Sequence, residues 1–242
     1  MSLPEDHMGD PNVPKDEIEP LSFNVKTAET PLGIKSKGKY KEGEKFSKLM
    51  VEISVAYAER GVSRKYKEPG KEEGYVVDNF LKLFGLNLKY LDGKYVPFCA
   101  AGLSFAACEA YCQLNPEVSY DPDDWTTMKS ILTDINNYYF KPSPAVRYIQ
   151  QNAEGKGKWV KPAGVIPKEG WPVVFSWNKD GKPNHIGLVR AVNGKTLDGK
   201  NLHTVEYNTS DASKSNGGTV AVKDRDIEFV LGYVDTYKKP AP

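Results

Sequence analysis

The pattern of apolar residues changes once along the chain, near Pro167, and this change limits the possible folds more than any other feature. Before it, apolar residues recur at helical spacing in stretches that predict helices over 44–59, 76–84 and 99–113. After it, short β-favouring runs between turn sequences predict strands over 172–177, 185–192, 202–207, 219–223 and 229–237. Helices followed by turn-linked strands indicate an α+β fold, with N-terminal helices packed on a largely antiparallel C-terminal sheet.

The two remaining parts of the chain are less regular. Residues 1–42 carry five prolines among polar and acidic residues, which predicts an extended or disordered N-terminal segment. Residues 43–242 are assigned to one domain. Within it, residues 115–160 are predicted to form further helices over 125–139 and 145–151.

Composition excludes several classes of protein. The 33 basic and 32 acidic residues give a net charge of +1, whereas nucleic-acid binders usually carry a basic excess. No apolar run approaches the ~20 residues that span a membrane, and no signal peptide is visible. Three cysteines are too few for a disulfide scaffold.

Cys99 is the candidate nucleophile because it stands at the predicted start of a helix whose next residues are small. The positive end of the helix dipole favours the thiolate form of a cysteine. Cys108 and Cys112 share a face further along this helix, and we expect them to pack in the core.

A nucleophilic cysteine needs a base, and the chain has only three histidines. His7 lies in the N-terminal segment and His203 lies within a strand. His185 opens a strand directly after a turn, from which its side chain can reach a cleft, so it is the candidate base. Glu206 and Asn208 project to one side of the following strand, and pairing of the two strands would bring them beside His185 to orient it.

With these residues in place, the sequence resembles the CHAP family of cysteine- and histidine-dependent amidohydrolases and peptidases, which belongs to the papain-like superfamily and is related to NlpC-type wall peptidases. The resemblance covers residues 45–238, in the family's order of motifs. It rests on Phe98-Cys99-Ala100, His185-Ile186-Gly187, Glu206-Tyr207-Asn208, Gly217-Gly218-Thr219-Val220 and Gly232-Tyr233. Relative to the family pattern, Phe98 replaces a tryptophan, Trp171 an aspartate and Tyr207 a glycine, and residues 115–160 are a longer insertion.

The resemblance implies a papain-like fold and hydrolysis of an amide bond in bacterial peptidoglycan. Cys99 would attack as a thiolate, and His185 would take the thiol proton and pass it to the leaving amine. Glu206 would hold His185, with Asn208 as assistant or substitute. The Cys99 backbone N–H would bind the oxyanion, and Tyr95 is either a second donor or a packing residue.

The resemblance also implies that no cofactor is needed. Only Asp92 stands where some relatives bind calcium, so no metal site is expected. We expect a monomer that is secreted or delivered to the cell wall or periplasm, with an immunity or inhibitor protein as a partner if the chain is an antibacterial effector.

Several alternatives stay open. The bond cut is either the muramoyl–L-alanine amide or one within the stem or cross-bridge peptides. A papain-like hydrolase or acyltransferase acting on a non-wall amide would carry the same residues. A catalytically silent wall-binding domain is a further alternative, although the intact Cys99, His185 and Glu206 set disfavours it.

Overall fold

The computed structural model describes residues 38–210 and 217–239, in which six α-helices accompany a curled seven-stranded antiparallel sheet. The predicted α+β class, with helices packed on an antiparallel sheet, is thereby confirmed. His7 and most of the predicted N-terminal segment, residues 1–42, lie outside the described residues. None of the described helices is long and apolar enough to cross a membrane.

The helices precede the strands. The helices are α1 (Gly43–Glu59), α2 (Tyr75–Lys82), α3 (Cys99–Leu114), α4 (Trp125–Lys129), α5 (Leu132–Tyr138) and α6 (Val146–Gly155). The strands are β1 (Trp159–Val160), β2 (Pro172–Phe175), β3 (His185–Val189), β4 (Leu197–Asp198), β5 (Asn201–Thr209), β6 (Thr219–Asp226) and β7 (Val230–Val234). They form the order β1-β7-β2-β3-β5-β4, and β6 also pairs with β5.

Helix α3 is the centre of the molecule. All of its residues from Cys99 to Cys112 are buried, as is typical of a helix enclosed on every side. It contacts α1 and α2 within the helical layer and β3 and β5 in the sheet. Gly102 allows the close approach to the sheet, because a Cβ there would lie 2.2 Å from the Tyr207 ring.

The two faces of the sheet carry separate apolar clusters. Ile186, Leu188 and Val205 face the helices, and they join the larger core that contains α1, α2 and α3. Phe175, Trp177 and neighbouring apolar side chains form the smaller core on the opposite face. Because side chains alternate along β3, His185 and Gly187 lie on the face of the smaller core.

One predicted helix is wrong in extent. The stretch 125–139 forms two short helices, α4 and α5, with a break at Ser130 and Ile131. The Ser130 hydroxyl donates to the Thr127 carbonyl, a local bond that competes with helix continuation. The two-residue strands β1 and β4 were not predicted, since they are too short to show an alternating pattern.

Candidate active site

Cys99 is the first residue of α3, and Phe98 is its N-cap residue. Phe98 is fully buried, with its ring centroid 6.2 Å from that of Phe80. This packing fixes the start of the helix against α2. The Cys99 side chain therefore stands at the positive end of a 16-residue helix dipole, and its backbone N–H is one of those that the helix itself leaves without a partner.

His185 begins β3 and meets Cys99 at the end of the sheet. Its Nε2 lies 2.9 Å from Glu206 Oε2, and its ring also interacts with the Cys99 side chain. Burial of the ring lowers the pKa of His185, but the hydrogen bonds to Cys99 and Glu206 outweigh it and raise that pKa to about 9. An imidazolium beside a cysteine at a helix start is the arrangement that generates a reactive thiolate.

Glu206 is hydrogen-bonded to His185, and further hydrogen bonds from other side chains fix the position of its carboxylate. Its carboxylate is fully buried and accepts from Arg225 Nε at 2.8 Å, Arg225 Nη2 at 2.6 Å and the Thr204 hydroxyl at 2.7 Å. Although burial raises the pKa of Glu206, the hydrogen bonds from Arg225 and His185 bring it well below its usual range. Glu206 is therefore ionised.

The ionised state of Glu206 fixes the tautomer of His185. A carboxylate only accepts hydrogen bonds, so the proton of this bond lies on His185 Nε2. Since Nε2 is bonded to Glu206, Nδ1 is the ring nitrogen that remains for Cys99. Neutral His185 thus presents a lone pair to the thiol, as a general base must.

Gly187 makes room for the carboxylate. It is paired with Glu206 across β3 and β5, and a Cβ at this position would lie 2.7 Å from the Glu206 Cγ. A glycine inside a strand commonly marks such a close approach. Because Gly187 has no side chain, the Glu206 side chain can pass over it and reach the imidazole of His185, two residues earlier on the same face of β3.

Aromatic rings cover the side of the imidazole that faces away from the helices. The ring centroids of Phe175 and Trp177 lie 5.9 and 5.8 Å from that of His185, and these two rings stack on each other. The Arg225 guanidinium lies over Trp177 at 5.0 Å. Water is thereby kept from the bonds among His185, Glu206 and Arg225, which strengthens them.

Asn208 does not take the place predicted for it. A β-bulge between Glu206 and Thr209 interrupts the alternation on which the prediction relied, and Asn208 adopts φ +56°. Its side-chain oxygen accepts a 2.6 Å hydrogen bond from Arg64 Nη2, and no hydrogen bond joins it to His185 in the described part of the chain. The structure thus brings Cys99, His185 and Glu206 together, whereas Asn208 is hydrogen-bonded to Arg64.

The other thiols and the second described histidine lie away from this site. Cys108 and Cys112 are buried, and burial raises the pKa of Cys112 to about 12 and that of Cys108 well above its ordinary value. They pack in the core as unreactive thiols. His203 Nδ1 instead meets Asp224 Oδ1 at 2.6 Å.

Two large aromatic residues, Tyr207 and Trp171, also have clear partners. Tyr207 fills the space above Gly102, and its hydroxyl lies 2.8 Å from that of Ser54. Trp171 is buried in the smaller core beside Tyr233 and Tyr237. Both act as packing residues.

Sequence reasoning missed Arg225. The predicted strand ended at Lys223, and no role was predicted for the three charged residues that follow it. In the structure β6 continues to Asp226, which places Arg225 opposite Leu202 and only 12% exposed. Residues 220–222 are apolar and residues 223–226 are all charged, so the sequence shows no alternation that would extend the strand to Arg225.

Among the described residues, no group of three or more histidines, cysteines or acidic residues is arranged to hold a metal ion. Comparison with known protein families, with curated proteins and with solved structures finds no match for the chain.

Proposed function

We propose that the chain is a cysteine amidohydrolase of the CHAP type, with a papain-like fold, that hydrolyses an amide bond of bacterial peptidoglycan. The observation that carries the reaction class is the chain of contacts from Cys99 to His185 and on to the buried Glu206. The substrate class rests on the motifs around these residues. On this proposal the enzyme acts at the cell wall or in the periplasm.

The proposed reaction begins with the Cys99 thiolate and the protonated His185. The sulfur attacks the carbonyl carbon, and the backbone N–H of Cys99 binds the oxyanion that forms. His185 then gives its proton to the leaving amine, the C–N bond breaks and a thioester remains. Water attacks this thioester, His185 takes up a proton from that water, and the acid product leaves as the thiolate is restored.

Glu206 acts on this reaction through His185. It keeps the Nε2 proton in place, so that Nδ1 exchanges the proton with sulfur and substrate throughout the cycle. Arg225 and Thr204 hold the carboxylate in turn. We therefore assign Cys99 and His185 as catalytic residues and Glu206, Arg225 and Thr204 as positioning residues.

Zymography on purified peptidoglycan tests the proposal. We expect clearing by the wild type and a loss of roughly a thousandfold or more for Cys99→Ala, because the nucleophile is removed. Cys112→Ala is the matched control, since the same substitution at a buried core thiol should leave clearing intact. Mass spectrometry of the released fragments then identifies the bond that is cut.

Three outcomes would contradict this proposal in different ways. Equal clearing by wild type and Cys99→Ala would exclude the assigned nucleophile. If the wild type binds the wall without clearing it, a wall-binding domain is favoured. If the wall is untouched while Cys99 reacts selectively with iodoacetamide, a hydrolase or transferase for another amide is favoured.

A further inference from the structure

The Arg64 guanidinium lies near the ring of Phe98, the residue before Cys99, and its partners differ from those of Arg225. The Arg64 guanidinium carbon is 4.8 Å from the ring centroid of Tyr95 and 5.6 Å from that of Phe98. The backbone N–H of Arg64 donates to the Gly218 carbonyl at 2.9 Å, which ties its segment to the start of β6. Arg64 is thus held close to the start of α3.

Within residues 38–210 and 217–239, the side-chain hydrogen bonds of Arg64 go to neutral acceptors. Nη2 donates to Asn208 Oδ1 at 2.6 Å and to the Val96 carbonyl at 3.3 Å. Its Nε is buried and has no hydrogen-bond partner among the described residues, and no carboxylate in that part of the chain forms an ion pair with it. Arg225, by contrast, is paired with Glu206.

The charges around the nucleophile therefore do not balance. The Cys99–His185 pair carries no net charge whether the shared proton lies on sulfur or on the imidazole, and Glu206 and Arg225 cancel. Arg64 remains as a cation that is partly withdrawn from water, and burial lowers its pKa. A cation in this position is stabilised by an anion that arrives from outside, and a planar guanidinium suits a carboxylate best.

We propose that Arg64 is a specificity-determining residue that binds a free carboxylate of the substrate, close to the amide that Cys99 attacks. This inference rests on the proposed function only for the identity of the substrate. The substrate class that it names is a peptide amide with an unblocked carboxylate near the bond that is cut. Asn208 then serves as the support that aims Arg64.

A pair of alkylating reagents tests the inference without any assumption about the natural substrate. Iodoacetate and iodoacetamide both add to the Cys99 sulfur with loss of iodide, but only iodoacetate carries a carboxylate. We measure the second-order rate constant of iodoacetate at Cys99 divided by that of iodoacetamide. This ratio should fall roughly tenfold in Arg64→Gln, because the carboxylate of iodoacetate then has no cation to bind. Lys89→Gln is the matched control.

Lys89 is suitable because its Nζ lies 4.9 Å from the same Tyr95 ring, but on an exposed side chain. The same loss of one charge there should leave the ratio as in the wild type. Arg64→Lys keeps the charge and should retain most of the preference, and it serves if Arg64→Gln does not fold. An unchanged ratio in Arg64→Gln, or an equal fall in Lys89→Gln, would overturn the inference.

A second measurement addresses the substrate directly. Peptidoglycan whose carboxylates have been coupled to methylamine should be cleaved roughly tenfold more slowly than native wall by the wild type. Arg64→Gln should lose this preference. If the reagent ratio depends on Arg64 but neither wall is cleaved, the proposed function fails while the carboxylate site stands. Cleavage of both walls at one rate by the wild type would overturn the carboxylate site alone.

Discussion

Glu206 is the residue on which the candidate site depends most, because it holds His185 and is itself held by Arg225 and Thr204. A buried ionised carboxylate is stable only when hydrogen bonds replace the water that it loses. Four hydrogen bonds do so here. Glu206 therefore both orients the imidazole and stabilises its protonated form.

We expect Glu206→Gln to lower the pKa of His185 from about 9, because the carboxylate that stabilises the imidazolium is lost. The protonated imidazole would then be lost at a lower pH than in the wild type. The measurement is an NMR titration of the ring protons of His185, which is simple to assign among three histidines.

Glu228→Gln is the control for this titration, since Glu228 is an exposed carboxylate that pairs with Lys179 at the surface. It should leave the midpoint of His185 unchanged. A midpoint in Glu206→Gln equal to that of the wild type would show that Glu206 does not stabilise the imidazolium.

At the scale of secondary structure, the contact between α3 and β5 sets how closely the helix approaches the sheet. Gly102 and Tyr207 form this contact, and Ser54 on α1 binds the hydroxyl of the same tyrosine. Gly102 is three residues from Cys99, and Tyr207 is next to Glu206 in the sequence. The contact between them therefore joins the helix and the strand close to the candidate site.

We expect Gly102→Ala to destabilise the fold by about 2 kcal/mol, because its Cβ would overlap the fully buried Tyr207 ring. Urea unfolding measures the loss. Gly155→Ala on α6, where a Cβ would meet nothing within 4 Å, is the control. Equal stability of Gly102→Ala and the wild type would show that the helix shifts freely and that the contact is not close.

The elements that were predictable from sequence are those with a repeated apolar pattern or a strong turn. Helices α1 and α3 and strand β3 begin within a residue of their predicted starts. The bulge at Asn208 was not predictable, because a single extra residue leaves no mark on the apolar pattern. The structure brings together Cys99, His185 and Glu206, which the sequence had singled out. Arg225 was missed, because its contact with Glu206 depends on how far β6 extends and on its register with β5.

At the scale of the whole molecule, two buried groups make stability fall with rising pH. Burial raises the pKa of Glu109 to about 7, although hydrogen bonds from Tyr57 and Tyr120 oppose it. An acid that ionises more readily in the unfolded chain opposes folding as pH rises from about 4.5 to 7. The raised pKa of His185 stabilises the fold below about 6.5, and this contribution is lost as pH rises through 9.

We therefore expect the free energy of unfolding to decrease from pH 5 to pH 9. Glu109→Gln should remove the decrease in the free energy of unfolding between pH 4.5 and 7, because the neutral amide does not ionise. This decrease is worth about 3 kcal/mol at most. Urea unfolding at pH 5 and pH 8 measures it. Glu52→Gln, an exposed change on α1, should keep the wild-type slope, and a wild-type slope in Glu109→Gln would contradict the assignment.

The candidate site combines a thiol from the helical layer with an imidazole and a carboxylate from the sheet. It therefore assembles only after the chain has been synthesised as far as the sheet. During synthesis Cys99 is made more than eighty residues before its base. Until β3, β5 and β6 have formed the sheet, Cys99 lacks His185 and Glu206 lacks the arginine of β6. If the proposed function is correct, a nascent or truncated copy would lack the assembled site, and hydrolase activity would appear only once the sheet has formed.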